Sequence, residues 1–257
     1  MPEVSPSKYL VQASWEDVPH LSEKAKAELL AETPPHLRDA RSKGIPSLGS
    51  GAIYPVPETD IKVDPFAIPD YWPRAYGMDV GWNRTAVVWG AHDRDTDIVY
   101  LYTEHYRGQA EPSIHAAAIR ARGDWIPGVI DPSARGRSQD DGKQLLQQYT
   151  DLGLKLDLAE NLVDSGIYEV WQRLSTGRLK VFAPMQNWFA EYRLYRRDEN
   201  GKIVKQFDHL MDATRYLIGP STVREGRTSG LQLAVTKPPK GFKGSGSAAG
   251  GDPTIGY

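Results

Sequence analysis

The pattern of apolar and polar positions changes at Arg74. Residues 75–80, 85–91 and 98–106 are short runs rich in β-branched and aromatic side chains, separated by Gly-Trp-Asn-Arg and by Asp-Arg-Asp-Thr-Asp, both turn-like. They predict three strands paired as an antiparallel meander. The period then lengthens. Residues 111–122 and 139–150 read as helices, Gly128–Asp131 and Leu154–Leu158 as short strands, and Leu179–Phe182 as a further strand. Between Ser165 and Ser175, Ile167, Val170, Trp171 and Leu174 recur at the spacing of one helical face. Glu191 to Gln206 reads as a hairpin turning at Asn200-Gly201, and 208–218 as a helix stopped by Gly219-Pro220. A meander followed by alternating helices and strands predicts an α/β fold: a mixed sheet of five or more strands with helices on both faces. Right-handed crossovers set Gly128–Asp131 parallel to, and beside, the first strand.

The flanks differ from this centre. Residues 1–73 hold many prolines and read as a poor core builder, with helices expected from Ser22 to about Ala31 and from Pro34-Pro35 to Gly44. Beyond Gln232, Lys-Pro-Pro-Lys and a Gly/Ser-rich run suggest a flexible tail. The expected division is a connecting segment over 1–73, a catalytic domain over 74–220 and a tail over 221–257.

Composition narrows the chemistry. Lys and Arg total 31 against 33 Asp and Glu, so no global basic field marks a nucleic-acid partner and any such contact must be local. With no cysteine, disulfides and thiolate metal sites are excluded. No apolar run reaches the roughly 20 residues that a membrane helix needs, so a membrane partner is not expected.

Carboxylates are the candidate chemistry. Asp79 is a charge placed mid-strand in an otherwise apolar segment, disfavoured without a partner. Asp131, in Val-Ile-Asp-Pro, ends the strand expected beside it. Asp208 and Asp212 lie four apart on one helix, so they share a face, and His209 is adjacent. Asp208 by itself also reads as a helix N-cap, and Asp131 as a turn former. Oxygen-only ligands suit Mg²⁺ or Mn²⁺. Two such ions about 4 Å apart would serve phosphodiester hydrolysis. Local basic clusters are Arg135 and Arg137 after Asp131, and Arg193, Arg196, Arg197, Lys202 and Lys205 in the expected hairpin, alternating with Tyr192 and Tyr195. They read as phosphate contacts, or as a charged, solvated edge hairpin.

Tyr76-Gly-Met-Asp-Val-Gly-Trp, Val129-Ile-Asp-Pro-Ser and Asp208-His-Leu-Met-Asp-Ala-Thr-Arg-Tyr, in this order over about residues 75–218, resemble the nuclease domain of tailed-bacteriophage large terminase subunits, of ribonuclease H-like fold. The resemblance implies a metal triad at Asp79, Asp131 and Asp212, with Asp208 and His209 as auxiliaries, and endonucleolytic cutting of concatemeric double-stranded DNA. It further implies the small terminase subunit and portal as partners, and the host cytoplasm during virion assembly as the place of action. Ala13-Ser-Trp-Glu-Asp-Val-Pro-His-Leu and Pro34-Pro-His-Leu-Arg-Asp-Ala-Arg resemble the end of the packaging ATPase domain that precedes this nuclease. No Gly-x-x-x-x-Gly-Lys-Ser/Thr phosphate loop is present, so the chain is expected to be a fragment lacking the motor half. Alternatives are a ribonuclease H or Holliday-junction nuclease using the same acids, and a non-catalytic docking module. Asp79-Val-Gly also occurs in the style of actin-like ATPases and sugar kinases, but the second domain they require has no room here.

Overall fold

The computed structural model describes residues 3–5, 8–9, 14–18, 20–32, 42, 51–135, 145–198, 200–220 and 226–238. Seven strands form the main sheet: β1 (Lys62–Val63), β2 (Arg74–Asp79), β3 (Thr85–Asp93), β4 (Ile98–Arg107), β5 (Gly128–Ile130), β6 (Leu156–Leu158) and β7 (Leu179–Phe182). Their spatial order is β1-β7-β4-β3-β2-β5-β6. β2, β3 and β4 form the expected antiparallel meander. β5 lies parallel to β2, and β6 and β7 join in parallel at either side.

The helices are α1 (Glu23–Glu32), α2 (Glu58–Ile61), α3 (Pro112–Arg120), α4 (Leu145–Asp151), α5 (Val163–Ser175), α6 (Gln186–Leu194), α7 (His209–Ile218) and α8 (Gly230–Leu233). Strand alternation divides the core in two. On one face Ala75, Ala86, Val88, Leu101 and Val181 pack under Val170 of α5, Trp188 and Phe189 of α6, and Met211 and Leu217 of α7. On the other, Tyr76, Met78, Val87 and Trp89 meet Ala116 and Ile119 of α3 and Tyr149 of α4. Helices therefore cover both faces, as expected.

Four expectations change. The hairpin expected over 191–206 is shorter: residues 191–194 belong to α6, because Trp188, Phe189 and Tyr192 bury at helical rather than alternating spacing. A short hairpin remains around Gly201 at φ 77°: the Arg197–Ile203 bridge is flanked by the Asp198 amide donating to the Lys202 carbonyl at 2.7 Å and the Val204 amide to the Arg196 carbonyl at 3.0 Å. Residues 51–73 are not merely a connection, since Tyr54 and Ile61 sit in the core and β1 extends the sheet. The segment after 220 also contributes: Ser229 caps α8 through a reciprocal capping box with Gln232, and Val235 bridges Arg74. Finally, Asp79 is the last residue of β2, not an interior one. The helix expected near Pro34–Gly44, the start of that expected over 139–150 and the tail from 239 lie outside the described residues.

Candidate metal centre

Register brings the first two acids together. Tyr76, Gly77 and Met78 align with Gly128, Val129 and Ile130, so one step further along two parallel strands aligns Asp79 with Asp131. The Asp131 amide donates to the Met78 carbonyl at 3.0 Å, which fixes that step. Both carboxylates sit at the carboxyl ends of adjacent parallel strands, where open α/β sheets present ligand sites. Alternation gives Asp79 the face of Ala75 and Gly77, and Asp131 that of Val129.

That face is covered by α7, and Gly77 permits the approach. A Cβ built on Gly77 would lie 2.1 Å from the Ala213 carbonyl oxygen and 2.8 Å from the Leu217 nitrogen, so α7 rests backbone to backbone on β2. The contact brings His209 Nδ1 to 2.8 Å from Asp79 Oδ2. Trp188 reinforces the placement, its indole N–H donating to Thr214 Oγ1 at 2.9 Å in a fully buried contact between α6 and α7.

Asp212 projects from the same helix. Its Oδ1 accepts from Arg215 Nε and Nη2 at 3.2 and 3.1 Å, and its Oδ2 from Lys205 Nζ at 3.4 Å. Arg215 is 2% exposed and also donates to Asn161 Oδ1 at 2.9 Å. Asp131 folds back on Ser133, accepting from its amide at 2.9 Å and from its hydroxyl. Burial pushes the Asp79 carboxyl up; its hydrogen bond with His209 opposes this, while the charges of Asp212 and Asp131 add to the rise. The same hydrogen bond raises the His209 imidazole against a desolvation that lowers it. Tyr216 is pushed up by burial, and all three of Asp131, Asp212 and Asp79 act on it. The three carboxylates thus share one electrostatic neighbourhood.

Asp208 occupies the N-cap position of α7, yet its side chain makes no capping bond. Glu191 of α6 takes that role, accepting from the Leu210 amide at 2.5 Å and from the Tyr106 hydroxyl at 2.6 Å. Burial pushes the Glu191 carboxyl up, against these hydrogen bonds. Asp208 Oδ2 is buried and pairs with Lys205 Nζ at 3.2 Å. Glu191, Arg215, Asn161 and Ser133 were not singled out from sequence; helical spacing of Trp188, Phe189 and Tyr192 would have placed Glu191 on a helix beside α7.

Among the described residues no group of three or more His, Asp or Glu side chains stands in a metal-holding arrangement. The hydrogen bonds account for this, since the carboxylates are turned toward His209, Arg215, Lys205 and Ser133. The chemistry still fits a hard divalent cation: Asp79, Asp131, Asp208 and Asp212 are oxygen donors, and they outnumber the cations Arg215 and Lys205 that answer them.

The basic residues are dispersed. Arg193 is on α6 and pairs with Glu58. Arg197 pairs with Asp164 at 3.0 Å and donates to the Gly201 carbonyl at 2.9 Å. Arg196 and Lys202 are exposed, and Lys205 reaches the carboxylates. Tyr192 and Tyr195, expected to alternate with these cations, are buried. Arg135 ends a short 3₁₀ turn after Asp131, its side chain outside the described residues, as is all of Arg137. A groove of about 930 Å³ elsewhere is lined by Arg120, Trp125, Lys155 and Val235 and includes none of these acids.

A mixed sheet carrying paired carboxylates at the ends of β2 and β5, with a third acid on the helix above them, defines a ribonuclease H-like domain. The match is specific: residues 76–219 fit the family described as the terminase RNase H-like domain, and the chain belongs to it. It is 36% identical over 223 residues to the large terminase subunit of Salmonella phage P22, covering 82% of this chain and 44% of that protein. A large terminase subunit from Enterobacteria phage LP7 matches at the same identity, with 46% of its length covered. The chain therefore spans about half the length of the curated relatives it matches. The P22 large terminase nuclease domain superposes with a TM-score of 0.60 at 37% identity, over 65% of this chain and 91% of that one. A large terminase from a thermophilic bacteriophage, at 21% identity and a TM-score of 0.59, shares the fold over 81% of this chain and 55% of that one.

Proposed function

We propose that this chain is the DNA-cutting part of a phage DNA-packaging terminase, hydrolysing phosphodiester bonds of double-stranded DNA with Mg²⁺ or Mn²⁺. The observation that carries the reading is the alignment of Asp79 with Asp131 under a helix bearing Asp212. In this reading those three carboxylates hold the metal, and Asp208 and His209 assist. Two bound ions would supply an activated water and charge stabilisation for the leaving oxygen.

The protein's own residues do the rest. Arg215, buried and forked onto Asp212 Oδ1, holds that carboxylate in one orientation and leaves Oδ2 to the exposed Lys205. His209 orients Asp79 and, when protonated, offsets its charge. Ser133 holds Asp131 against the turn that ends β5. Arg196 and Lys202, with Arg135 and Arg137 beside Asp131, serve as phosphate contacts. The working assembly in this reading adds the ATPase domain, the small subunit and the portal, in the host cytoplasm during virion assembly.

The test is cutting of supercoiled plasmid by the purified chain with Mn²⁺. Asp79→Ala and Asp131→Ala are expected to abolish cutting while keeping the folded circular-dichroism spectrum. Undiminished cutting by either folded variant would overturn the assignment. Cutting confined to RNA–DNA hybrids would instead favour a ribonuclease H.

A further inference from the structure

We propose that Lys205 is an internal counter-ion of the metal centre, released from Asp208 and Asp212 when a DNA phosphate takes its ammonium group, so that DNA binding opens the site to a divalent cation. The inference rests on the nuclease reading and deepens it.

The two cations on Asp212 differ in kind. Arg215 holds Oδ1 from a side chain that is 2% exposed, tied also to Asn161, and has nowhere to go. Lys205 faces Oδ2 at 3.4 Å from a side chain that is 65% exposed. A four-carbon stem ending in a point charge can leave without disturbing the fold. The same ammonium group lies 3.2 Å from Asp208 Oδ2. That oxygen is buried, and Lys205 is the cation that pairs with it among the described residues. One mobile ammonium thus holds an oxygen of each carboxylate, and a close-fitting metal ion would take both in its place.

Lys205 therefore stands on the oxygens that a metal would need, and both cannot occupy them. A polyanion offers it an alternative partner, because phosphate neutralisation by Lys dominates the affinity of proteins for DNA. Removing Lys205 from the carboxylates exposes Asp212 Oδ2 and Asp208 Oδ2 together. Thermodynamic reciprocity then requires metal and DNA to strengthen each other's binding by the same factor. In the cell this keeps the centre from charging fully with metal until DNA is seated.

The experiment measures Mn²⁺ affinity of the whole chain by electron paramagnetic resonance, with and without a short duplex bearing uncleavable phosphorothioate linkages. An exposed ion pair of this kind corresponds to about a five-fold effect. Lys205→Gln is expected to bind Mn²⁺ about five-fold tighter than the unaltered protein when DNA is absent, and Lys205→Arg to match the unaltered protein. DNA is expected to tighten Mn²⁺ binding of the unaltered protein by a similar factor and to leave Lys205→Gln nearly unchanged. Equal Mn²⁺ affinities without DNA, or equal tightening by DNA in both proteins, would overturn the proposal. Asp79→Asn, which tests the nuclease reading and not Lys205, separates the two: its Mn²⁺ affinity should collapse, and an unchanged value would count against that reading alone.

Discussion

Substituting Gly77 by alanine tests how the site is assembled, because one methyl group would be driven into backbone. The added Cβ would meet the Ala213 oxygen at 2.1 Å, the Leu217 nitrogen at 2.8 Å and the Ala213 carbonyl carbon at 3.1 Å, where ordinary contact begins at 3.4 Å. None of these is the end of a side chain that can rotate away, so α7 itself must lift from β2 by about an ångström. Overpacking a core costs about 1–3 kcal/mol, and a clash with helix backbone belongs at or above the upper end. Asp212 and His209 ride on that helix, and a displacement near 1 Å costs about 100-fold in rate where geometry is set this finely. Urea unfolding read by circular dichroism should therefore show Gly77→Ala destabilised by about 3 kcal/mol, and Mn²⁺-dependent plasmid cutting should fall about 100-fold under conditions where the variant remains folded. Gly201→Ala is the control: nothing lies within 4 Å of its Cβ, although φ is +77°, so only backbone strain applies. That strain is about 1–2 kcal/mol, and cutting should be unaffected. Unfolding of Gly77→Ala at the native urea midpoint with full cutting would refute the idea that this glycine seats the helix.

The other expectations can be stated briefly. Arg215→Ala leaves the buried Asp212 carboxylate without its buried partner, with the exposed Lys205 as its remaining cation, and should destabilise the fold by about 3–5 kcal/mol in denaturant titration. Arg196→Ala combined with Lys202→Ala should weaken DNA binding and lower the slope of log affinity against log salt by about 2, with Mn²⁺ affinity retained; an unchanged slope would remove both residues from the interface. Burial, with the charges of His115, Arg122 and Arg107 adding, holds His105 down at about 4 from an ordinary 6.5, so the unfolded chain binds the extra proton first. Its contribution is therefore intact above pH 6.5 and is lost as pH falls toward 4. The stability advantage of the native protein over His105→Gln should shrink across that window in urea melts, and a constant difference would contradict the assignment.

The central sheet was legible because its signals were local. Runs rich in β-branched and aromatic residues marked β2 to β4, and the Val-Ile-Asp-Pro run marked β5 together with its terminal acid. The rule of right-handed crossovers then made Asp79 and Asp131 neighbours from sequence alone. The third acid was legible as a pair on one helix face, but the division of labour was not. Asp208 looked like a cap, and only tertiary contact reveals that Glu191 from another helix accepts the Leu210 amide in its place. The misread hairpin has a related cause. Tyr and Arg side chains crowd Tyr192 to Arg197 ahead of an Asn-Gly turn, which suggests that the strand starts early, whereas the burial of Trp188, Phe189 and Tyr192 decides for a helix as far as Leu194. Gly77 gave no sequence signal beyond being glycine in a strand, since its role depends on what lies 2.1 Å above it. The contributions of Tyr54 and Ile61 were hidden by the surrounding prolines, which disfavour regular structure without preventing burial.

The most direct measurement of the central claim is anomalous diffraction from a crystal of this chain soaked in Mn²⁺. The account predicts density bounded by Asp79, Asp131 and the Asp208–Asp212 stretch of the chain, with Lys205 moved off the carboxylates. Well-ordered crystals with Mn²⁺ bound elsewhere, and with the Lys205 contacts to Asp208 and Asp212 intact at saturating metal, would contradict it.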